Sequence, residues 1–166
     1  MIFITTGSRS FQFNRLLKAV DEAVMQGLIT EQVFAQTGLS DYCIKKYEYT
    51  KFLNHEEFNK NINEADIILT HGGTGVIVNS LKKGKRVVVV PRLKKYGEAI
   101  DDHQVQLIEA FYKQEQVTPC FECTAKGISL AIEEAKKKKI KPYISNTKVI
   151  LGDIDKYIRE EGNGSI

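Results

Sequence analysis

The 166 residues carry 24 Lys or Arg against 21 Asp or Glu, a formal charge of +3, with 42% hydrophobic content. That is enough chain for one domain with a real core, and too mild a charge for a nucleic-acid binder that works through a large basic field. Three cysteines make no disulfide framework and fit a reducing cytosol; no apolar run approaches the roughly 18 residues that span a bilayer.

The apolar start, Ile2–Thr5, lacks the basic flank and length of a signal peptide and reads as a first strand. A turn of small residues follows over 6–10. Leu16, Leu17, Val20, Ala23 and Val24 recur at helical spacing and predict a helix over 13–26, stopped by Gly27. A short strand is expected at Val33–Gln36, another within 47–53, and a helix over 56–64 with Phe58 and Ile62 on one face. Residues 67–70 form an apolar strand that runs into His71-Gly72-Gly73-Thr74-Gly75; a helix over 75–83 is closed by Gly84, and Arg86–Val90 is a further buried strand. A polar loop opens at Pro91 and ends on a helix over 102–113, with Val105, Leu107, Ile108 and Phe111 apolar. A last strand falls near Val117 and a helix over 124–139; the tail, 141–166, has a weak helix over 154–160 and a disordered-looking end. Strands alternate with helices throughout, which predicts one α/β domain over 1–140 built on a parallel sheet.

In such a sheet, the loops after 67–70 and 86–90 leave the carboxyl ends of their strands and face one crevice, where open α/β sheets bind ligands. Three glycines in four positions beside His71 suggest close approach of an anion to a helix N-terminus. The turn is neither standard phosphate loop. A dinucleotide fingerprint needs glycine where Val78 stands, and a Walker loop ending at Gly84-Lys85 needs glycine at Asn79 and Ser or Thr at Arg86. Structurally, Thr74 would cap the helix, and Asp101 with Gln104 would form a capping box that leaves Asp102 and His103 for a ligand. Cys120 and Cys123 have redox spacing but lie outside a first βαβ unit, and no clustered His or Cys completes a zinc site. The lysine run 136–139 ends a helix and reads as a solvated face; contact with anionic lipid headgroups is the alternative.

The segments Ile2-Phe3-Ile4-Thr5-Thr6-Gly7, Phe13-Asn14-Arg15-Leu16, His71 to Gly75, and Pro91-Arg92 through Glu98 to Asp101-Asp102-His103-Gln104 resemble the donor-binding C-terminal half of GT-B glycosyltransferases of family 28. They are most similar to the short stand-alone subunits, Alg13-like and PssE/EpsF-like, of dolichol-linked glycan and bacterial exopolysaccharide or capsule assembly. The resemblance covers about residues 1–110. It implies a single Rossmann-like domain in which Gly7, Ser8, His71, Gly72, Gly73, Thr74, Gly75 and Arg92 hold the diphosphate of a UDP-sugar. Glu98, Asp102, His103 and Gln104 would contact the donor sugar. The position of a ribose-binding glutamate in many relatives falls on Asn79, which can bond a hydroxyl but carries no charge. No metal or other cofactor is implied. The resemblance further implies an inverting transferase that works only with a membrane-anchored Alg14-like or PssD-like subunit supplying the catalytic base and a lipid-linked glycan acceptor, which would place the chain in the cytoplasm at the inner face of the membrane. A non-catalytic module that enhances a partner transferase is the alternative.

Overall fold

The computed structural model describes residues 1–8, 10–139, 141 and 143; the weak helix expected in the tail lies outside them. Six strands, β1 (Ile2–Thr5), β2 (Val33–Gln36), β3 (Glu48–Thr50), β4 (Ile67–His71), β5 (Arg86–Val90) and β6 (Thr118–Pro119), form one sheet in the order β3-β2-β1-β4-β5-β6. Every pairing is parallel. Among the described residues, four α-helices lie between strands, α1 (Asn14–Met25), α2 (His55–Glu64), α3 (Thr74–Lys82) and α4 (His103–Lys113), and α5 (Ala125–Lys137) follows β6. The single α/β domain on a parallel sheet expected from the alternation is therefore present, with the Rossmann-like fold that the resemblance implies.

Strand period decides which helix covers which face. Ile2, Ile4, Ile67, Leu69, Val88 and Val90 point to one side and pack with α1 and α5 residues such as Leu16, Val20, Ile128 and Ile132. Phe3 and Ile68 point to the other and meet Ile62 of α2, while Val87 and Val89 meet Ile77 and Leu81 of α3 and Ile108 of α4. Burial of the central strands on both faces explains their unbroken apolar runs. Each such side chain contributes about 1.5–3 kcal/mol.

Two helix starts show how local chemistry sets the boundaries. Asn54 caps α2 in a capping box with Glu57, each side chain bonding the other's backbone N–H. The Thr124 side chain accepts from Gly127 N at 3.0 Å and begins α5. The sheet order reverses between β1 and β4, so the loops leaving those strands diverge to opposite faces and leave a crevice at their carboxyl ends.

Candidate functional site

That crevice is a cavity of about 610 Å³, walled by the segments that follow β1, β4 and β5. Its volume falls in the roughly 300–1,000 Å³ range of small-molecule sites. Gly7 and Ser8, the whole turn His71 to Gly75, and Arg92, Glu98, His103 and Gln104 all contribute to the wall, together with Phe11, Ile100, Asp101 and Leu107. The crevice predicted between the two central loops is thus joined by a third segment, the β1–α1 loop.

The glycine turn is shaped by its own histidine. A Cβ on Gly7 would lie 2.6 Å from His71 Cε1, and one on Gly73 would run into His71 Nε2. The imidazole occupies the space that two side chains would need. Gly72 is constrained by another neighbour, since its Cβ would come within 2.8 Å of Gln104 Cβ. Only at Gly75 within this turn would a Cβ find nothing within 4 Å. The sequence suggested that the glycines admit a ligand; at three positions packing within the protein already demands them, and Gly75 alone leaves open space. The Thr70 hydroxyl gives its single proton to Thr5 O at 2.9 Å. The same hydroxyl lies 3.3 Å from His71 Nδ1, within hydrogen-bond distance.

Thr74 does not cap α3. The cap position is Gly73, which has no side chain to bond the first turn, and Thr74 is the first helical residue. Ile77 N is bonded to Gly73 O, and the N–H groups of the turn before it lie beside the cavity, where they and the helix dipole favour an anion.

The capping box expected at α4 is also absent. Asp102 is the cap residue and makes no side-chain cap bond. Its Oδ1 accepts from Lys94 N at 2.8 Å, while Asp101 Oδ1 accepts from His103 N at 3.0 Å. Gln104 is drawn elsewhere: Oε1 accepts from Gly72 N at 3.0 Å and from Arg92 N at 3.1 Å. Its Nε2 must then point away from those two donors. Asp102 and His103 are exposed.

Two expected ligands of the donor have structural occupations. Glu98 has a fully buried side chain whose oxygens take a fork from Arg15, at 3.0 and 2.8 Å, and a bond from Leu93 N at 3.0 Å. Burial opposes the charge on Arg15, but the hydrogen bond to Glu98 and nearby negative charge raise its pKa above the ordinary arginine value. Arg92 is 2% exposed; its guanidinium donates to Thr6 O and Glu98 O and lies 5.2 Å from the Phe13 ring. Positive charge thus sits behind the cavity wall rather than projecting from it.

Asn79 is not brought into the cavity wall. Its amide donates to Asn59 Oδ1 on α2 at 3.4 Å, and Lys83 Nζ donates to the same oxygen at 2.7 Å. The ribose role expected for Asn79 therefore has no geometric support: the side chain points along α3 toward α2. Cys120 and Cys123 lie elsewhere again, in and against the core beneath α1 and α5. Burial pushes their thiols up to about 11 and about 12, the reverse of a reactive pair. Among the described residues, no group of three or more His, Cys, Asp or Glu side chains is placed to hold a metal ion.

Sequence reasoning missed Phe11 and Ile100 in the cavity wall, and Arg15 as the partner of Glu98 behind it. Ile100, 74% exposed beside Ala99 and Asp101, was the one with a readable signal, an apolar residue inside a polar loop.

Comparison with known proteins gives this architecture a family. The glycosyltransferase family 28 C-terminal domain model matches residues 1–153. A curated relative, the UDP-N-acetylglucosamine transferase subunit ALG13 of Mus musculus, is 25% identical over 134 residues, covering 76% of this chain and 11% of the relative. The chain therefore spans about a tenth of that relative's length. Among solved structures, the solution structure of ALG13 superposes with a TM-score of 0.58 at 18% identity, covering 87% of this chain and 89% of that one. The calicheamicin glycosyltransferase CalG4 superposes at 0.60 and 17% identity, covering 82% of this chain and 34% of that one. These two likenesses establish the fold.

Proposed function

The chain belongs to the glycosyltransferase family 28 C-terminal domain family, and on that premise we propose that it is the UDP-sugar-binding subunit of a two-component inverting glycosyltransferase. The observation that carries the proposal is the cavity at the carboxyl ends of β1, β4 and β5, where the N-terminus of α3 meets the open side of Gly75. In this reading the backbone N–H groups of the turn from Gly72 to Gly75, with Gly7 and Ser8 opposite, hold the diphosphate, and His71 forms the floor beneath it. The sugar lies toward Asp102, His103 and the Gln104 amide.

Transfer breaks the bond between the sugar's anomeric carbon and the diphosphate oxygen, and negative charge grows on the departing UDP. Donors and dipoles already aimed at that charge stabilise it without reorganisation. The α3 N-terminus supplies them directly, and the buried Arg92 guanidinium adds positive potential from behind the wall. No metal is invoked. The acceptor hydroxyl attacks the opposite face of the anomeric carbon, which inverts its configuration. We assign the base that takes its proton, and the lipid-linked glycan that carries it, to a membrane-anchored Alg14-like or PssD-like partner in polysaccharide assembly. No helix among the described residues is long and apolar enough to cross a membrane. We assign attachment at the inner face of the membrane to that partner.

The ALG13 relative is a UDP-N-acetylglucosamine transferase subunit by name, which makes UDP-N-acetylglucosamine the first donor to test and UDP-galactose the second. The test is transfer of labelled sugar from each donor to membranes carrying the partner, with and without this chain. Transfer only when both are present supports the proposal. Substantial transfer by the partner alone would favour the alternative of an enhancing module.

A further inference from the structure

Between β5 and α4 the chain runs through twelve residues whose only regular structure is a short 3-10 turn, Lys94–Tyr96. Left to itself such a loop samples many conformations, yet its residues Ala99, Ile100 and Asp101, with His103 and Gln104 at the start of α4, form one side of the cavity. What holds it is a set of contacts from the start of α1, centred on Arg15. The Arg15 guanidinium donates to both oxygens of Glu98, 83 residues away in sequence, and also to Pro91 O at 2.8 Å. Glu98 in turn accepts from Leu93 N at 3.0 Å. The first part of the loop is thereby closed into a ring around one ion pair. The Tyr96 ring lies 4.8 Å from the Arg15 guanidinium carbon, and Gln12 Nε2 donates to Tyr96 O at 2.9 Å.

A bidentate arginine fork fixes direction as well as distance. Glu98 itself belongs to the wall and immediately precedes Ala99, Ile100 and Asp101, so its position sets where they begin. The glycine turn on the other side of the cavity has anchors of its own and one tie shared with the loop, since Gln104 Oε1 accepts from both Gly72 N and Arg92 N. It continues from β4 into α3, and its bond to Gln104 comes from a helix seated by Ile108 in the core.

We propose that Arg15 and Glu98 are positioning residues for the sugar side of the donor site, holding the β5–α4 loop so that it reads the hexose while the glycine turn holds the diphosphate. The inference rests on the UDP-sugar reading above. It gives Glu98 a role different from the direct sugar contact that family resemblance implies, and it gives Arg15 a role that the motif alone does not.

The test compares affinities of the full chain for UDP, UDP-N-acetylglucosamine and UDP-galactose by calorimetric titration. The chains are wild type, Arg15→Lys, Glu98→Gln and Tyr96→Leu, with folding checked by circular dichroism. Arg15→Lys keeps the charge and loses the fork; Tyr96→Leu uncovers the pair at an exposed site and keeps the variant set informative if a change at the buried pair does not fold. The expected result is that wild type binds one UDP-sugar more tightly than UDP. The variants should keep UDP affinity within about twofold while that UDP-sugar loses about tenfold, toward the affinity of UDP itself. A uniform loss for UDP and UDP-sugar would mark the pair as merely structural and overturn the inference, as would unchanged affinities or a wild type that binds UDP and both sugars equally. A wild type that binds none of the three would overturn the functional reading and this inference with it.

Discussion

Gln104 Oε1 accepts the backbone N–H of Gly72 at 3.0 Å across 32 positions of sequence, and the same oxygen accepts from Arg92 N. One side-chain amide therefore stitches the glycine turn after β4 to the chain leaving β5. Replacing it with leucine strands two backbone donors in a partly buried place, at a cost of about 1–3 kcal/mol each, which urea unfolding will register. Gln104→Glu separates structure from recognition. The carboxylate still accepts both N–H groups, so stability should stay within about 1 kcal/mol. The amide N–H donors are lost and a negative charge is added beside the diphosphate, so UDP-sugar affinity should fall by about tenfold or more. Loss of stability with affinity intact would reverse these assignments.

Gly73 and Gly75 should respond oppositely to alanine. At Gly73 the new methyl meets the His71 ring, and the imidazole or the turn must shift, costing about 1–3 kcal/mol of stability. At Gly75, the second residue of α3, the methyl meets nothing. Gly75→Ala should raise stability by about 0.5–1 kcal/mol while lowering UDP affinity, because the methyl occupies the ligand's approach. Thermal melts paired with titration decide the matter; a Gly75→Ala chain that binds UDP as well as wild type would remove Gly75 from the site.

Asn79→Ala should leave UDP affinity within about twofold, since its amide faces Asn59 and not the cavity. A large loss in the same titration would restore the ribose role that family resemblance suggests.

The buried thiols give a pH signature. Cys120 and Cys123 titrate at about 11 and about 12 in the fold, chiefly because burial penalises the thiolate, against an ordinary value of 9.0. Their folded pKa values are raised, so the native state holds its protons longer than the unfolded chain. Their contribution to stability is complete below the unfolded value, and it is lost as pH rises from about 9 through the folded values. Urea midpoints of wild type should fall more steeply over that window than those of a Cys120→Ala/Cys123→Ala chain. At neutral pH, iodoacetamide should modify the exposed Cys43 well before the other two. Fast labelling of Cys120 or Cys123 would revive a redox reading of the pair.

Periodicity made the fold readable. Helical spacing in α1 and α5 and apolar runs in β4 and β5 are local signals, and each element lies within a few residues of its expected place. Capping was less readable, because Thr74 and the Asp101–Gln104 pair had suitable neighbours in sequence but better partners in space: Gln104 found Gly72 and Arg92, which no local pattern reveals. The same holds for Arg15 and Glu98, whose pairing depends on where the β5–α4 loop crosses α1. The glycine turn was noticed for a sound reason, its freedom from side chains, but packing of the His71 ring explains two of the glycines it involves, Gly7 and Gly73. Asn79 could be placed on a helix from sequence, though not on the side of that helix facing α2.

The central claim is that the cavity between β1, β4 and β5 binds a UDP-sugar, and titration of the purified full chain with UDP-N-acetylglucosamine and UDP-galactose tests it most directly. The account predicts saturable one-to-one binding of at least one of them, competed by UDP and weakened by Gly75→Ala. Absence of binding by both donors and by UDP, or binding that Gly75→Ala and Gln104→Glu leave untouched, would contradict it.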